Sequence, residues 1–390
     1  MLARRSLLQF HLRLWVVPIV VSLVFSQGVS FAQVKTAATT AKLHTSTDWQ
    51  LVPSFKYDLL CAINTLTADA FYLDYYKDEY DRLAPKLTPS AKQALANLKR
   101  KIKDEGKNII SASLCLYFSA VDDETLDELL RTLASDSTLK HNLQQTPYYD
   151  DQGWQLFESV REDLRVVFQW MKETHFEDYW KQMAEAKVNA KISEIEKNLP
   201  QYNVIGEVEK LLGFPLSSNR ITVYMLYYSQ PHGIKITGTR FLTDEAWPFQ
   251  IVLRNAVHEM MHPPYDLAHD KELQQVFAQL KTDSLLADKL ANHNPDFGYN
   301  TFDGFMEEDC VQALEQIINE KFKVAVDPRK RWKASDDGMH VFAIALYQVM
   351  KEENFGGGTQ SFRDFLVKMI HSGKLSSGKI KPLYDKFYSS

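Results

Sequence analysis

The stretch 155–199 contains neither proline nor glycine, and it limits what this chain can fold into more than any other part of the sequence. Proline and glycine are the residues that most often end a helix, so their absence predicts one long helix or two helices joined end to end. Residues 88–106 open with threonine and proline, which suit an N-cap and a first helical position. Most of 48–212 is helical in character, and we expect a helical N-terminal region over residues 33–200.

The composition of the chain changes near Gly213. Residues 221–229 and 234–242 are rich in β-branched and aromatic side chains, and the intervening "QPHG" is typical of a turn. These segments predict a β-hairpin with His232 exposed to solvent in its turn. The expected fold class is therefore mainly α (α+β), with a small β-hairpin or sheet in a second region, residues 201–390.

The first 32 residues are typical of a secretory signal peptide. Three arginines precede an apolar run over residues 14–25, which is short for a bilayer span, and small residues precede a cleavage position after Ala32. An uncleaved membrane anchor is the alternative. We expect a signal peptide over residues 1–32 and an exported protein, periplasmic or secreted, with no stable membrane insertion after signal removal.

Charge and cysteine content exclude some classes of protein. The 390 residues carry a net charge of −5 without long basic runs, which argues against a nucleic-acid partner. The three cysteines show no metal-ligand spacing. A disulfide between Cys61 and Cys115 is compatible with an oxidising compartment, and buried free thiols are the alternative, with Cys310 left over in either case.

The segment "HEMMHPPYD" (258–266) contains the residues most suited to chemistry. The preceding residues from Pro248 onward are largely apolar and predict a buried helix. Residues four apart lie on one helical face, about 6 Å apart along the axis, so His258 and His262 can share one metal ion. Glu259 is rotated by about 100° from His258, which places its carboxylate beside the metal as a general base.

Two prolines follow this motif directly. A proline requires only that the residue before it leaves the α-helical conformation, and His262 is the last residue that the motif needs. The sequence therefore predicts a helix that ends at His262, give or take one residue.

A catalytic zinc ion needs a third protein ligand, and residues 305–322 supply candidates on a strongly helical pattern. Glu308 shares a face with apolar residues and with Glu315 two turns on, which favours Glu308 over Glu307 as the inward-facing acid. Acids that only complement the helix dipole are the alternative for both residues.

A hairpin, a buried HExxH helix and a later helix that brings a glutamate resemble the gluzincin group of zinc metallopeptidases. "EEDCVQAL" is also similar to an ExxVxAL segment of uncharacterised secreted bacterial proteins that carry HExxH, with Val311, Ala313 and Leu314 as the packing residues. The resemblance covers about residues 200–350. It implies a zincin-like catalytic region that hydrolyses peptide bonds.

The resemblance also implies roles for individual residues. His258, His262 and Glu308 would bind Zn²⁺, Glu259 would be the general base, and the strand 234–242 would pair with an extended substrate. The gluzincin pattern has an aspartate four residues after the ligand glutamate, where this chain has Gln312. Tyr299 and His340 are the candidates for the catalytic residue that stabilises the oxyanion, and a core histidine is the alternative for His340.

We therefore expect an exported zinc-dependent peptidase that acts on a peptide or protein substrate. The alternative is a zinc-containing but catalytically inactive binding protein of the cell envelope, which the glutamine at position 312 favours and Glu259 disfavours.

Overall fold

The computed structural model describes residues 19–20, 42–135, 137–356 and 360–389. Helices dominate these residues and a small sheet accompanies them, which confirms the expected mainly α (α+β) class. Within the described residues, no helix is long and apolar enough to cross a membrane. The expected signal peptide lies outside the described residues except for Ile19–Val20.

The first half of the described chain contributes ten α-helices. They are α1 Phe55–Leu66, α2 Ala70–Leu83, α3 Pro89–Leu98, α4 Ile110–Phe118, α5 Leu126–Ala134, α6 Ser137–Leu143, α7 Asp151–Glu173, α8 Phe176–Trp180, α9 Ala186–Ile195 and α10 Val204–Leu212. The stretch 155–199 forms two helical segments joined end to end, because His175 takes a left-handed conformation (φ 54°) between α7 and α8. The prediction of one or two joined helices is confirmed.

The helices of the second half pack together with α9 and α10 on one side of the sheet, and α1 to α8 pack on the other. The helices of the second half are α11 Phe249–Glu259, α12 Lys271–Leu280, α13 Ser284–Asn292, α14 Phe302–Lys321, α15 Pro328–Ala334, α16 Val341–Glu352, α17 Phe362–His371 and α18 Ile380–Ser389. Most of them begin at a side-chain N-cap, and α14, for example, begins after Thr301, whose hydroxyl accepts a hydrogen bond from the Gly304 N–H.

The sheet has a mixed order. Its strands are β1 Ile19–Val20, β2 Asp48–Pro53, β3 Arg220–Leu226, β4 His232–Lys235 and β5 Arg240–Asp244, and their spatial order is β1-β4-β5-β3-β2. Strands β2, β3 and β5 run parallel, whereas β4 is antiparallel to β5 and β1 pairs in parallel with β4.

The predicted hairpin between 221–229 and 234–242 is wrong in its pairing. The second segment folds back on itself around Gly238, whose φ of 70° suits glycine, and so supplies both β4 and β5. Strand β3 then pairs with β5 in parallel rather than with β4. Strand β2 lies within 48–212, where we expected helix, because its pattern is too short and too exposed to be distinguished.

His232 is also not the solvated turn residue that the sequence predicts. It is the first residue of β4, is buried, and its Nε2 lies 2.8 Å from the hydroxyl of Tyr72 on α2. The turn ends before His232, so its side chain belongs to the strand.

Side-chain alternation along the strands divides the core into two clusters. Leu226, Ile234 and Leu242 face the cluster formed with helices α1 to α8. Val223 and Phe241 face the cluster formed with α11, α14 and α16. The sheet is therefore a middle layer between the N-terminal helices and the helix that carries HExxH.

Candidate metal centre

Helix α11 carries the first part of the site. It begins after Pro248, packs against β4, β5 and α14, and is buried along most of its length. His258 and Glu259 are its last two residues, and both are buried. The strand layer and α14 thus hold this helical end in place from two sides.

The helix ends three residues earlier than the sequence predicts. It stops at Glu259 rather than at His262, because Pro263 and Pro264 have no N–H to bond the carbonyls of the preceding turn. A tight turn follows, in which the Met261 N–H donates to the His258 carbonyl at 3.0 Å. The backbone therefore continues as a turn after the helix has ended.

The two imidazoles nevertheless converge as the motif requires. Nε2 of His262 lies 3.1 Å from Nε2 of His258, and both side chains are buried. The expected contact between the two imidazoles is therefore present, although the helix does not continue to His262 as we expected.

Helix α14 brings the third group. Glu308 is fully buried, and its Oε2 lies 3.6 Å from Nε2 of His258 and 3.6 Å from Nε2 of His262. This oxygen has no hydrogen-bond partner among the described residues. His258, His262 and Glu308 form a buried group that could hold a metal ion.

The three atoms fit a tetrahedral ion. Bonds of about 2.0–2.1 Å from a tetrahedral centre place its ligand atoms about 3.3 Å apart. The observed separations of 3.1 Å and 3.6 Å bracket that distance. The three residues therefore fit an ion of this size without a change of fold.

Each histidine is oriented from behind by a carboxylate. Nδ1 of His258 lies 3.0 Å from Oε2 of Glu315, and Nδ1 of His262 lies 3.0 Å from Oε1 of Glu307. A carboxylate accepts, so each Nδ1 carries the proton and each Nε2 is left with its lone pair. Glu307 thus orients His262, whereas Glu308, the acid that the sequence favours, belongs to the group that could hold a metal ion.

A further layer fixes these carboxylates. Glu315 accepts from Arg331 and, at 2.6 Å, from the amide of Asn319. Gln312 donates to Oε1 of Glu308 at 2.9 Å and accepts from the indole of Trp332 at 2.9 Å. The residue that departs from the gluzincin pattern therefore holds the ligand glutamate, while Glu315 orients the histidine.

Two carboxylates of this site, Glu307 and Glu308, have no lysine or arginine partner among the described residues. Burial lowers the pKa of His258, but Glu308 and Glu315 outweigh it and raise that pKa to about 10. Burial raises the pKa of Glu308, but His258 and His262 lower it to about 2. The site thus binds positive charge strongly, as protons or as a metal ion.

Glu259 lies beside this group and is unpaired. It is fully buried, and neither carboxylate oxygen has a hydrogen-bond partner among the described residues. Gly233 of β4 packs directly over it, since a Cβ at Gly233 would lie 3.1 Å from Oε1 of Glu259. A buried carboxylate without a partner is costly, which makes it a candidate for chemistry rather than for stability.

His340 is enclosed by protein and has no contact with solvent. Its Nδ1 lies 2.7 Å from Asp309 and its Nε2 lies 2.7 Å from Asp336, and the side chain is fully buried. Both ring nitrogens are engaged, so His340 has no N–H to offer an oxyanion. Tyr299 packs against His340 with ring centroids 5.8 Å apart and has a left-handed backbone (φ 52°).

Tyr148 lies in the loop between α6 and α7, and no motif in the sequence points to it. Burial, followed by the charges of Glu307 and Glu259, raises the pKa of Tyr148. Tyr148 is therefore close enough to both carboxylates for their charges to act on its phenol. Only the three-dimensional fold could bring this residue into consideration.

Comparison with known proteins adds no relative: no protein-family model, no curated protein and no solved structure matches this chain.

Proposed function

We propose that this protein is an exported zinc-dependent peptidase. The observation that carries the proposal is the buried group of His258, His262 and Glu308 with the unpaired carboxylate of Glu259 beside it. A purely structural zinc site has no use for an additional buried carboxylate, because the charge is costly without a proton to move.

Zinc is the ion that suits these donors best. Two imidazole nitrogens and one carboxylate oxygen in a tetrahedral arrangement are typical of catalytic zinc, which keeps its fourth position open. When bound, Zn²⁺ supplies Lewis acidity that polarises a carbonyl and lowers the pKa of water. Glu307 and Glu315 support the set by keeping both Nε2 atoms available.

Glu259 performs the proton transfers in this proposal. Its carboxylate takes a proton from the attacking water and delivers it to the amine that leaves when the peptide bond breaks. The lack of hydrogen-bond partners leaves both oxygens available for this exchange.

An extended substrate would lie along β4. This strand is antiparallel to β5, and Gly233 brings its backbone directly over Glu259. The other edge of β4 pairs with Ile19–Val20, so that edge accepts a strand. These two residues belong to the expected signal peptide, and its removal would open the edge to a substrate.

The test combines metal analysis with proteolysis. The purified protein should contain about one zinc ion and cleave an unstructured protein, whereas Glu259→Gln should keep its zinc and lose on the order of 10³-fold or more of the activity. Glu308→Ala should lose zinc, and Glu307→Ala should retain it with weaker affinity. Absence of zinc from the wild-type protein would contradict the proposal.

The alternative is a zinc-containing binding protein of the cell envelope that has no activity. The observation in its favour is that both nitrogens of His340 are engaged, which removes one candidate for stabilising an oxyanion. Equal zinc content in wild type and Glu259→Gln, with no cleavage by either, would establish this alternative.

A further inference from the structure

A second feature of interest is a cleft between the N-terminal helices and the turn that follows α13. It is small and partly open to solvent. Its polar lining includes Asn64, Tyr72, Lys103, Lys107 and Asn108, and Gly298 borders it from the second half of the chain. The two halves meet here, since the amide of Asn300 donates to the Lys107 carbonyl at 3.2 Å.

The cleft carries an excess of positive charge. Lys103 and Lys99 both face Asp69, with N–O distances of 2.6 Å and 3.6 Å. Lys107 lies one turn beyond Lys103, and its ammonium forms no ion pair with any described residue. Asp69 therefore faces two lysines, and Lys107 is left without a carboxylate partner within the described part of the chain.

Two donors in the cleft are uncommitted. The Lys107 ammonium is one, and the side-chain amide of Asn108 is the other, since it has no partner among the residues that the structure describes. Asn64, by contrast, is occupied by Ser111, to which it donates at 2.7 Å. An ammonium and an amide N–H that line the same cleft are donors that suit a carboxylate.

The cleft adjoins the metal centre through β4. Tyr72 lines the cleft and contacts His232, and the next residue of the strand, Gly233, lies over Glu259. Successive residues of a strand face opposite sides of the sheet, about 3.3 Å apart along it. A peptide paired with β4 would alternate in the same way, so a side chain next to the one at the metal centre would point toward the cleft.

We propose that this cleft binds a carboxylate of the peptide, either an acidic side chain close to the cleaved bond or the C-terminus. The inference rests on the proposed peptidase function, to which it adds a substrate class. Lys107 is the main determinant, and Asn108 provides the second donor.

Binding of short peptides tests the inference apart from catalysis. The probes are fluorescently labelled hexapeptides of alanine in which one glutamate is moved through the positions, each compared with its glutamine counterpart and with an amidated C-terminus. The protein is the zinc-loaded full chain with Glu259→Gln, so the peptides stay intact. One position, or the free C-terminus, should tighten binding by about tenfold.

The variants then assign the effect to the cleft. Lys107→Glu should abolish the preference, and Lys107→Asn, which suits the left-handed backbone there (φ 55°), should weaken it. Lys92→Glu is the matched control, because Lys92 is exposed on α3 and outside the cleft. Circular dichroism checks that each variant folds.

Each outcome has one meaning. Equal affinity for glutamate, glutamine and amidated peptides, or a preference that survives Lys107→Glu, would overturn the inference. A preference that Lys107→Glu removes, in a protein whose wild type cleaves nothing, supports the cleft and contradicts the peptidase proposal. If the wild type cleaves all the peptides and no peptide is preferred in binding, the result contradicts the cleft and supports the peptidase proposal.

Discussion

Glu315 holds Nδ1 of His258 at 3.0 Å although the two residues are 57 positions apart in the chain. Arg331 binds the same carboxylate from the other side, and burial makes this chain of contacts rigid. His258 is thereby fixed in one ring orientation, with Nε2 toward Glu308. The protein itself therefore holds the three side chains in an arrangement that could accept a metal ion.

Loss of this contact should weaken metal binding without removing a ligand. We expect Glu315→Gln to lower zinc affinity by about ten- to a hundredfold, because the imidazole keeps an acceptor but loses the negative charge that makes it a stronger ligand. Competition with a chelator of known affinity measures this. Glu320→Gln is the control on the same helix, since Glu320 binds Tyr347 and Lys351 instead. Equal affinities in both variants would contradict the orienting role.

Sequence reasoning predicted the metal group better than the fold around it. His258, His262 and Glu308 were found because helical spacing is a local property, which survives even a helix that ends at Glu259. Glu315 lay on the predicted inward face, but its partner could not be read from one helix. The role of Gln312 depends on Trp332, which is distant in sequence.

The sheet was predicted less well for a physical reason. Strand pairing is a long-range choice, and β-propensity alone does not say which strands are neighbours. Residues 234–242 have a continuous strand-like pattern, but Gly238 permits a tight reversal within it. The parallel pairing of β3 with β5 follows from that reversal and leaves β4 antiparallel beside Glu259.

Stability should fall as the pH rises from about 4 to 7. Burial raises the pKa of Asp58 and of Asp244 to about 7 from an ordinary 3.8. A carboxyl with a raised pKa binds its proton more tightly in the folded state, so its contribution is full below pH 4 and lost as the pH passes 7. The loss should be on the order of a few kcal/mol.

Urea unfolding at pH 5, 6, 7 and 8 measures this dependence. Asp244→Asn should flatten the slope between pH 5 and 7, because asparagine does not titrate. Asp385→Asn is the control, since Asp385 is exposed and pairs with Lys381 at the surface. A slope that Asp244→Asn leaves unchanged would show that this carboxyl is not the titrating group.

Cys61 and Cys115 should form a disulfide when the protein is oxidised. Both are free thiols in the structure, buried, with Sγ atoms 3.9 Å apart on α1 and α4. Closing a loop with a sequence separation of 54 should stabilise the fold by roughly 4 kcal/mol in the chain-entropy model. Peptide mass spectrometry after treatment with oxidised glutathione and alkylation of the unfolded protein identifies the bridge, with the buried Cys310 as the internal control that is still alkylated. Alkylation of all three cysteines would refute the expectation.

Tyr148 should contribute to catalysis from the N-terminal helical region. Burial, followed by the charges of Glu307 and Glu259, raises the pKa of its phenol, so the phenol keeps its proton and is our candidate donor to the oxyanion of a peptide carbonyl. We expect Tyr148→Phe to lower kcat on the order of a hundredfold while zinc content and KM stay unchanged. Steady-state kinetics on one peptide measures this.

The neighbouring tyrosine provides the matched control for that variant. The hydroxyl of Tyr149 donates to Asp151 at 3.0 Å, away from the metal group, so Tyr149→Phe should keep the wild-type kcat. Tyr299→Phe completes the set, because Tyr299 packs on the fully engaged His340. If Tyr299→Phe loses activity and Tyr148→Phe does not, the oxyanion is stabilised from the second half of the chain, and the N-terminal helices only cover the site.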